Sequence, residues 1–166
     1  ATQAFNVELF DAHHPFSFGA PDIEVVETML DASGNEVPAL VDDRINPGSG
    51  AVSRIVRVQN LGTHPMFVRV MLSVEGVRPN GDALSLDHAV TYDFGDASAW
   101  QRGQDGRYYL AVALEPDQTT PVLIDSFEVE AGALAGIDQL KLVIKADGVQ
   151  SEHNATRSLT AEGWPA

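Results

Sequence analysis

Hydrophobic and polar positions alternate along most of this chain, most clearly in AVSRIVRVQNLGTHPMFVRVMLSVE, residues 51–75. In its second half Met66, Val68, Val70, Leu72 and Val74 alternate with Phe67, Arg69, Met71, Ser73 and Glu75. A period of two is what a half-buried strand requires, since successive side chains point to opposite faces. In its first half Val52, Val56 and Val58 share a face with Arg54, while Ser53, Arg57 and Gln59 share the other with Ile55. Between them Asn60-Leu61-Gly62-Thr63-His64-Pro65 has the punctuation of a loop: Asn and Gly tolerate positive φ, and Pro65 interrupts a ladder. The pattern predicts two strands paired antiparallel through a short turn. The expected core draws on Val56, Val58, Val68, Val70, Leu72, Leu142 and Ile144, with Arg69 facing away from it.

The remaining runs are shorter. Ile23 to Leu30 reads as a strand whose alternation slips at Val25-Val26, which predicts a bulge. Asp31 to Gly50 reads as loop, with a turn at Ser33-Gly34-Asn35. Ala89–Phe94, Trp100–Arg102, Arg107–Leu114 and Pro121–Glu130 read as strands, the middle two joined by an Asp105-Gly106 hairpin turn. Ala131 to Ile137 suggests a short helical turn. Gln139 to Ala146 alternates cleanly, with Leu140, Leu142 and Ile144 inward and Lys141 and Lys145 outward. About eight or nine short strands without a long amphipathic helix predict an all-β chain, a jelly-roll-like antiparallel β-sandwich.

The first ten residues, ATQAFNVELF, set Phe5, Val7 and Leu9 on one side and Asn6 and Glu8 on the other. A terminal segment is normally loose unless docked. This one is either an edge strand of its own domain or a strand that docks elsewhere. The expected organisation is residues 1–15 as strand and hinge, then a single sandwich domain over residues 16–166.

With 166 residues the chain supports one domain, which buries roughly 70% of its unfolded surface and needs no staples. It has no cysteine, so disulfides and thiolate metal sites are excluded. A formal charge of −14 makes nucleic acid and anionic lipid poor partners. No apolar run approaches the roughly 20 residues of a membrane span. The opening ATQAF, without Met or a basic leader, is expected for a mature secreted form after signal-peptide removal.

Candidate chemistry is sparse. There is no H-E-x-x-H, G-x-S-x-G or Gly-rich phosphate loop, and no enzyme activity or cofactor is expected. Of His13, His14, His64, His88 and His153 only the first two adjoin, and on a strand they would point apart, so no metal site is expected. Asp42-Asp43 is a loop pair that is either solvated or a weak cation site. Asn154-Ala155-Thr156 has the form of a glycosylation sequon. Trp100, Tyr108 and Tyr109 either line a sugar-binding surface or fill and cover the sandwich, the commoner role of such residues.

Several short motifs together resemble the TasA/camelysin family of secreted bacterial proteins and related archaeal pilins. They are Phe16-Ser17-Phe18-Gly19-Ala20-Pro21-Asp22-Ile23, Asn46-Pro47-Gly48, and Val58-x-Asn60-x-Gly62 followed by Pro65 and Val68-Arg69-Val70. Further along come Asp105-Gly106-Arg107-Tyr108-Tyr109, Glu115-Pro116-Asp117-Gln118-Thr119, Ala146 to Gln150, and Trp164. Asp117 stands where the family usually has Gly, and Phe67 where it usually has Tyr. The resemblance implies an extracellular jelly-roll subunit of a biofilm-matrix fibre or pilus. Its N-terminal donor strand, with Phe5, Val7 and Leu9, would complete a neighbour's sheet. The partner is then another copy, head to tail in a noncovalent homopolymer, with other matrix or pilus components possible beside it. The alternatives are a monomeric secreted carbohydrate- or cell-binding module, or a secreted metalloprotease, for which the chain has no zinc motif.

Overall fold

A computed structural model of the chain describes residues 22–39, 45–48, 50–151 and 164. Ten strands follow in order: β1 (Ile23–Leu30), β2 (Glu36–Pro38), β3 (Val52–Asn60), β4 (Met66–Val77), β5 (Ala83–Ser85), β6 (Val90–Phe94), β7 (Trp100–Arg102), β8 (Tyr108–Leu110), β9 (Ile124–Val129) and β10 (Gln139–Gln150). They form two antiparallel sheets in the orders β2-β1-β3-β9-β6 and β10-β4-β8-β7, with β5 also on β4. The expected helical turn is a short 3-10 segment at Ala131–Leu134. The described chain is the all-β sandwich that the alternation predicts.

The sheets meet over one-sided apolar rows. Val56, Val58, Val68, Val70 and Val74 are fully buried, with Ile124, Phe127, Leu140, Ile144 and Ala146 around them. Each such side chain contributes about 1.5–3 kcal/mol on leaving water, which makes these rows the main reason the two sheets stay together. Among the expected core residues, Leu72 and Leu142 pack on this cluster but remain half-buried.

Three expectations are corrected. First, β3 and β4 are not a pair: β3 lies in one sheet and β4 in the other. The segment between them is a corner held by Asn60, whose Oδ1 accepts from Gly62 N at 2.8 Å while Nδ2 donates to His64 O and Leu114 O at 2.9 Å. Both strands carry a Val row on one face, and the rows bury each other by facing across the core instead of lying side by side. Second, β1 runs in unbroken register from Ile23↔Asn60 to Thr28↔Ile55, so Val25-Val26 is not a bulge. The irregularity lies in β3 opposite β9, between Ser53 and Val56, where Arg54, Ile55 and Val56 are buried in succession. Arg54 is tolerated there because its Nε lies 3.3 Å from Glu27 Oε2. Third, the expected loop 31–50 contains β2. The carboxylate Oδ1 of Asp31 accepts from Ser33 N and Asn35 N, and Gly34 takes φ +85°, which turns β1 back on itself.

β2, β5, β7 and β8 are each three residues long; setting aside β2 and β5 leaves eight strands. An eight-stranded jelly roll pairs its first strand with its last and its fourth with its fifth. Here the pairings β3–β9, β9–β6, β10–β4 and β4–β8 are those of a jelly roll, but β1 joins β3 and β7 joins β8. Among the described strands, that change leaves β10 at the edge of its sheet.

Candidate assembly edge

The sequence of β10, QLKLVIKADGVQ, pairs with β4 over its whole length, from Gln139↔Val77 to Gln150↔Met66, without a shift. Leu140, Ile144, Ala146 and Gly148 are buried, Leu142 is half-buried, and Lys141 and Lys145 are exposed. Two hydrogen bonds fix which way the backbone groups point. Ser151 N donates to Pro65 O at 3.1 Å, on the β4 side, whereas Leu140 N donates to Ile45 O at 2.8 Å, away from β4. In an antiparallel ladder this direction alternates from residue to residue. The N–H and C=O groups of Leu142, Ile144, Ala146 and Gly148 therefore face away from β4, and among the described residues none of them has a partner there.

The stretch left unpaired among the described residues spans roughly 20 Å, at about 3.4 Å per residue. Ile45 closes it at the Leu140 end. Across the opening lies β1 of the other sheet. Val25, Leu72 and Leu142 face the core but are only half-buried, so apolar surface accompanies the unpaired amides. An edge with both features is what an added strand satisfies, its backbone completing the ladder and its alternate side chains covering the apolar strip.

The outer face of the same sheet is locked. Arg69 faces away from the core, as expected, yet it is only 6% exposed. Its Nε donates to Asp147 Oδ2 at 2.8 Å across the β4–β10 ladder, and its guanidinium carbon sits 4.7 Å from the centre of the Trp164 ring. Tyr109 meets Trp164 edge-on at 5.7 Å and donates through its hydroxyl to Asp105 Oδ2 at 2.6 Å. Burial works against the Arg69 charge, but hydrogen bonds to Asp147 and Tyr109 outweigh it and raise its pKa. Burial likewise pushes the Asp105 carboxyl up, yet donation from Tyr109 and Arg107 holds it below the usual range. Burial, then the bond to Asp105, raises Tyr109.

The other candidates carry less. Trp100, Tyr108 and Tyr109 are buried, which removes the sugar-binding platform; Trp100 Nε1 donates to Pro121 O at 3.3 Å. Among the described residues no three His, Asp or Glu converge on a metal position. An open cleft of about 320 Å³ is lined by Ala51, Thr91, Tyr92, Asp93, Ser126 and Glu128, among others. Tyr92 Oη is buried without a hydrogen bond, and its pKa is raised by that burial first and by the Asp87 charge second. The cleft holds neither a thiol nor a general base paired to a nucleophile.

Phe5, Val7 and Leu9 lie outside the described residues, as do His13, His14, Asp42, Asp43, His153 and Asn154. The inward and outward rows of β10 are placed as their alternation predicts. The sequence reading missed that this strand is an edge, and that Trp164 packs on Arg69. No family model, curated protein or solved structure matches the chain.

Proposed function

We propose that the chain is a structural subunit of an extracellular filament, secreted and assembled noncovalently. Residues 1–10 of one copy add as a strand to the β10 edge of the next. The observation that carries this reading is the edge from Leu142 to Gly148, unpaired among the described residues, with its half-buried apolar border. The alternation of Phe5, Val7 and Leu9 with Asn6 and Glu8 supplies a strand of matching length and one-sided character. The resemblance to biofilm-fibre and pilus subunits points the same way. Burying three such side chains contributes roughly 5–8 kcal/mol before the cost of ordering them. The contact joins two different surfaces, a terminus and a sheet edge, so it propagates instead of closing into a dimer.

Deleting residues 1–10 tests the reading. The expected product is a soluble monomer by size-exclusion chromatography, with the circular dichroism of a sheet protein and no filaments by negative-stain microscopy. Val7→Asp should weaken polymerisation with little effect on the fold. Filaments of unchanged width from the deleted chain would overturn donation of this strand.

A further inference from the structure

A donated strand needs a register, and the residues of β10 select one. We infer, resting on the reading above, that the strand runs antiparallel to β10 with Glu8 opposite Lys145 and Phe5 opposite Gly148. Antiparallel is the sense of every pairing in both sheets. The core-facing Phe5, Val7 and Leu9 must sit opposite core-facing residues of β10, because a slip of one position turns every side chain to the wrong face. Only alternate registers remain. The one that brings Leu9 opposite Leu140 is closed, since Leu140 N already donates to Ile45 O. The one that brings Glu8 opposite Asp147 sets two carboxylates side by side, and Asp147 is committed to Arg69.

Two registers are left, with Glu8 opposite Val143 or opposite Lys145. The first places Phe5 on Ala146 and Phe10 beside the exposed Lys141. The second pairs opposite charges directly, which stabilises a cross-strand pair. It also sets Phe5 over Gly148, Val7 over Ala146 and Leu9 over Ile144, so the largest donated side chain meets the smallest acceptor position. Uncharged Asn6 falls beside Asp147, and Phe10 beside the half-buried Val143. Lys141 and Lys145 are the chain's only lysines, and Lys145 makes no ion pair among the described residues. A lysine on a free edge deters indiscriminate pairing; this one admits a strand with an acid at one position.

Cysteine pairs read the register directly, because the chain has no cysteine of its own. Glu8 and Lys145 would form a non-hydrogen-bonded pair, whose Cα separation of about 4.5 Å suits a disulfide. The full chain carrying Glu8→Cys and Lys145→Cys, assembled and gently oxidised, should run as a ladder of linked chains on a non-reducing denaturing gel. Glu8→Cys with Val143→Cys should give none. The reverse pattern overturns the register and leaves strand donation standing. A disulfide closed within one chain overturns donation itself. Filaments with neither cross-link overturn both of these registers on β10. A charge exchange guards against cysteine variants that assemble poorly. Glu8→Lys or Lys145→Glu alone should raise the critical concentration about five- to tenfold, and the two together should restore it. Single exchanges without effect, or a combination that fails to restore, count against the Glu8–Lys145 pair.

Discussion

Replacing Asp147 by Ala should be among the most damaging single changes on the outer face of this sandwich. Arg69 and Asp147 stand directly opposite in the β4–β10 ladder and are 6% and 7% exposed. Trp164 and Tyr109 cover the guanidinium, so the charge left behind would have little water to turn to. Removing one partner of a buried ion pair costs about 3–5 kcal/mol. Arg69 keeps its 3.4 Å bond to Tyr109 Oη and its stacking on Trp164, which places the expected loss near the lower bound. About 3 kcal/mol corresponds to a fall in Tm of roughly 6–12 °C for a chain of this size. Urea and thermal unfolding of the Ala variant measure it. Asp147→Asn, which keeps an acceptor oxygen, should cost less, about 1–2 kcal/mol. Arg69→Met combined with Asp147→Leu should lie within about 1 kcal/mol of the parent, since a buried pair scarcely outperforms apolar side chains of similar volume. Trp164→Ala should weaken the same pair, with a double-mutant cycle against Arg69 giving a non-zero coupling. A loss under about 1 kcal/mol for Asp147→Ala would refute the reasoning, because it would mean that the pair is solvated like an ordinary surface contact.

Four more outcomes are expected. On acidification the contribution of Asp105 is lost: its folded pKa is depressed, so its stabilisation is complete above the ordinary carboxylate range and disappears as pH falls through the depressed value, with Asp105→Asn flattening that limb of a stability profile. At the alkaline end Tyr92 and Tyr109 have raised pKa values, so their contribution holds below about pH 10 and is lost as pH rises through the folded values; ultraviolet titration should show both ionising late in the folded chain. Gly95→Ala should destabilise by about 1–3 kcal/mol in urea unfolding, because its Cβ would stand 2.5 Å from Val122 Cγ1 and 3.1 Å from the Val122 carbonyl oxygen. Chelation should leave fold and assembly intact, and a midpoint drop of more than about 10 °C in EDTA would contradict that.

Side-chain alternation made the faces of the strands legible but not their partners. Val56, Val58, Val68, Val70 and Ile144 could be assigned to the core because a period of two says which side chains share a side. The same period says nothing about whether two successive strands lie side by side or face each other. Locally the Asn60–Pro65 segment has the pattern of a hairpin turn, whereas Asn60 uses its side-chain amide to bond His64 and Leu114 and bends the chain from one sheet to the other. The β3 irregularity was illegible for a related reason, since it arises opposite β9, a strand distant in sequence. Trp164 follows a tail without periodicity, and its place over Arg69 depends on aromatic and cationic contacts that local pattern does not encode. At the candidate edge, the inward and outward residues of β10 were readable. Its openness was not, because that depends on which strand takes the place beside it.

An edge of this length, unpaired among the described residues, is a hazard unless something limits what can pair with it, since unpaired amides beside apolar surface accept almost any extended chain. Two features of this molecule narrow the choice. The edge is closed at Leu140 by Ile45, which removes registers beyond that point. Lys141 and Lys145 stand on the exposed face beside it in a chain of net charge −14. Another β10 edge that paired antiparallel with Lys141 opposite Lys145, or with Lys145 opposite its own copy, would bring lysines against lysines, which disfavours those edge-to-edge registers. An acidic strand is instead attracted, and the first ten residues carry one acid and no basic side chain. The same two lysines thus act against symmetric pairing in those registers and in favour of the proposed head-to-tail contact, and on that proposal neutralising both should shift the products from filaments towards irregular aggregates visible by microscopy.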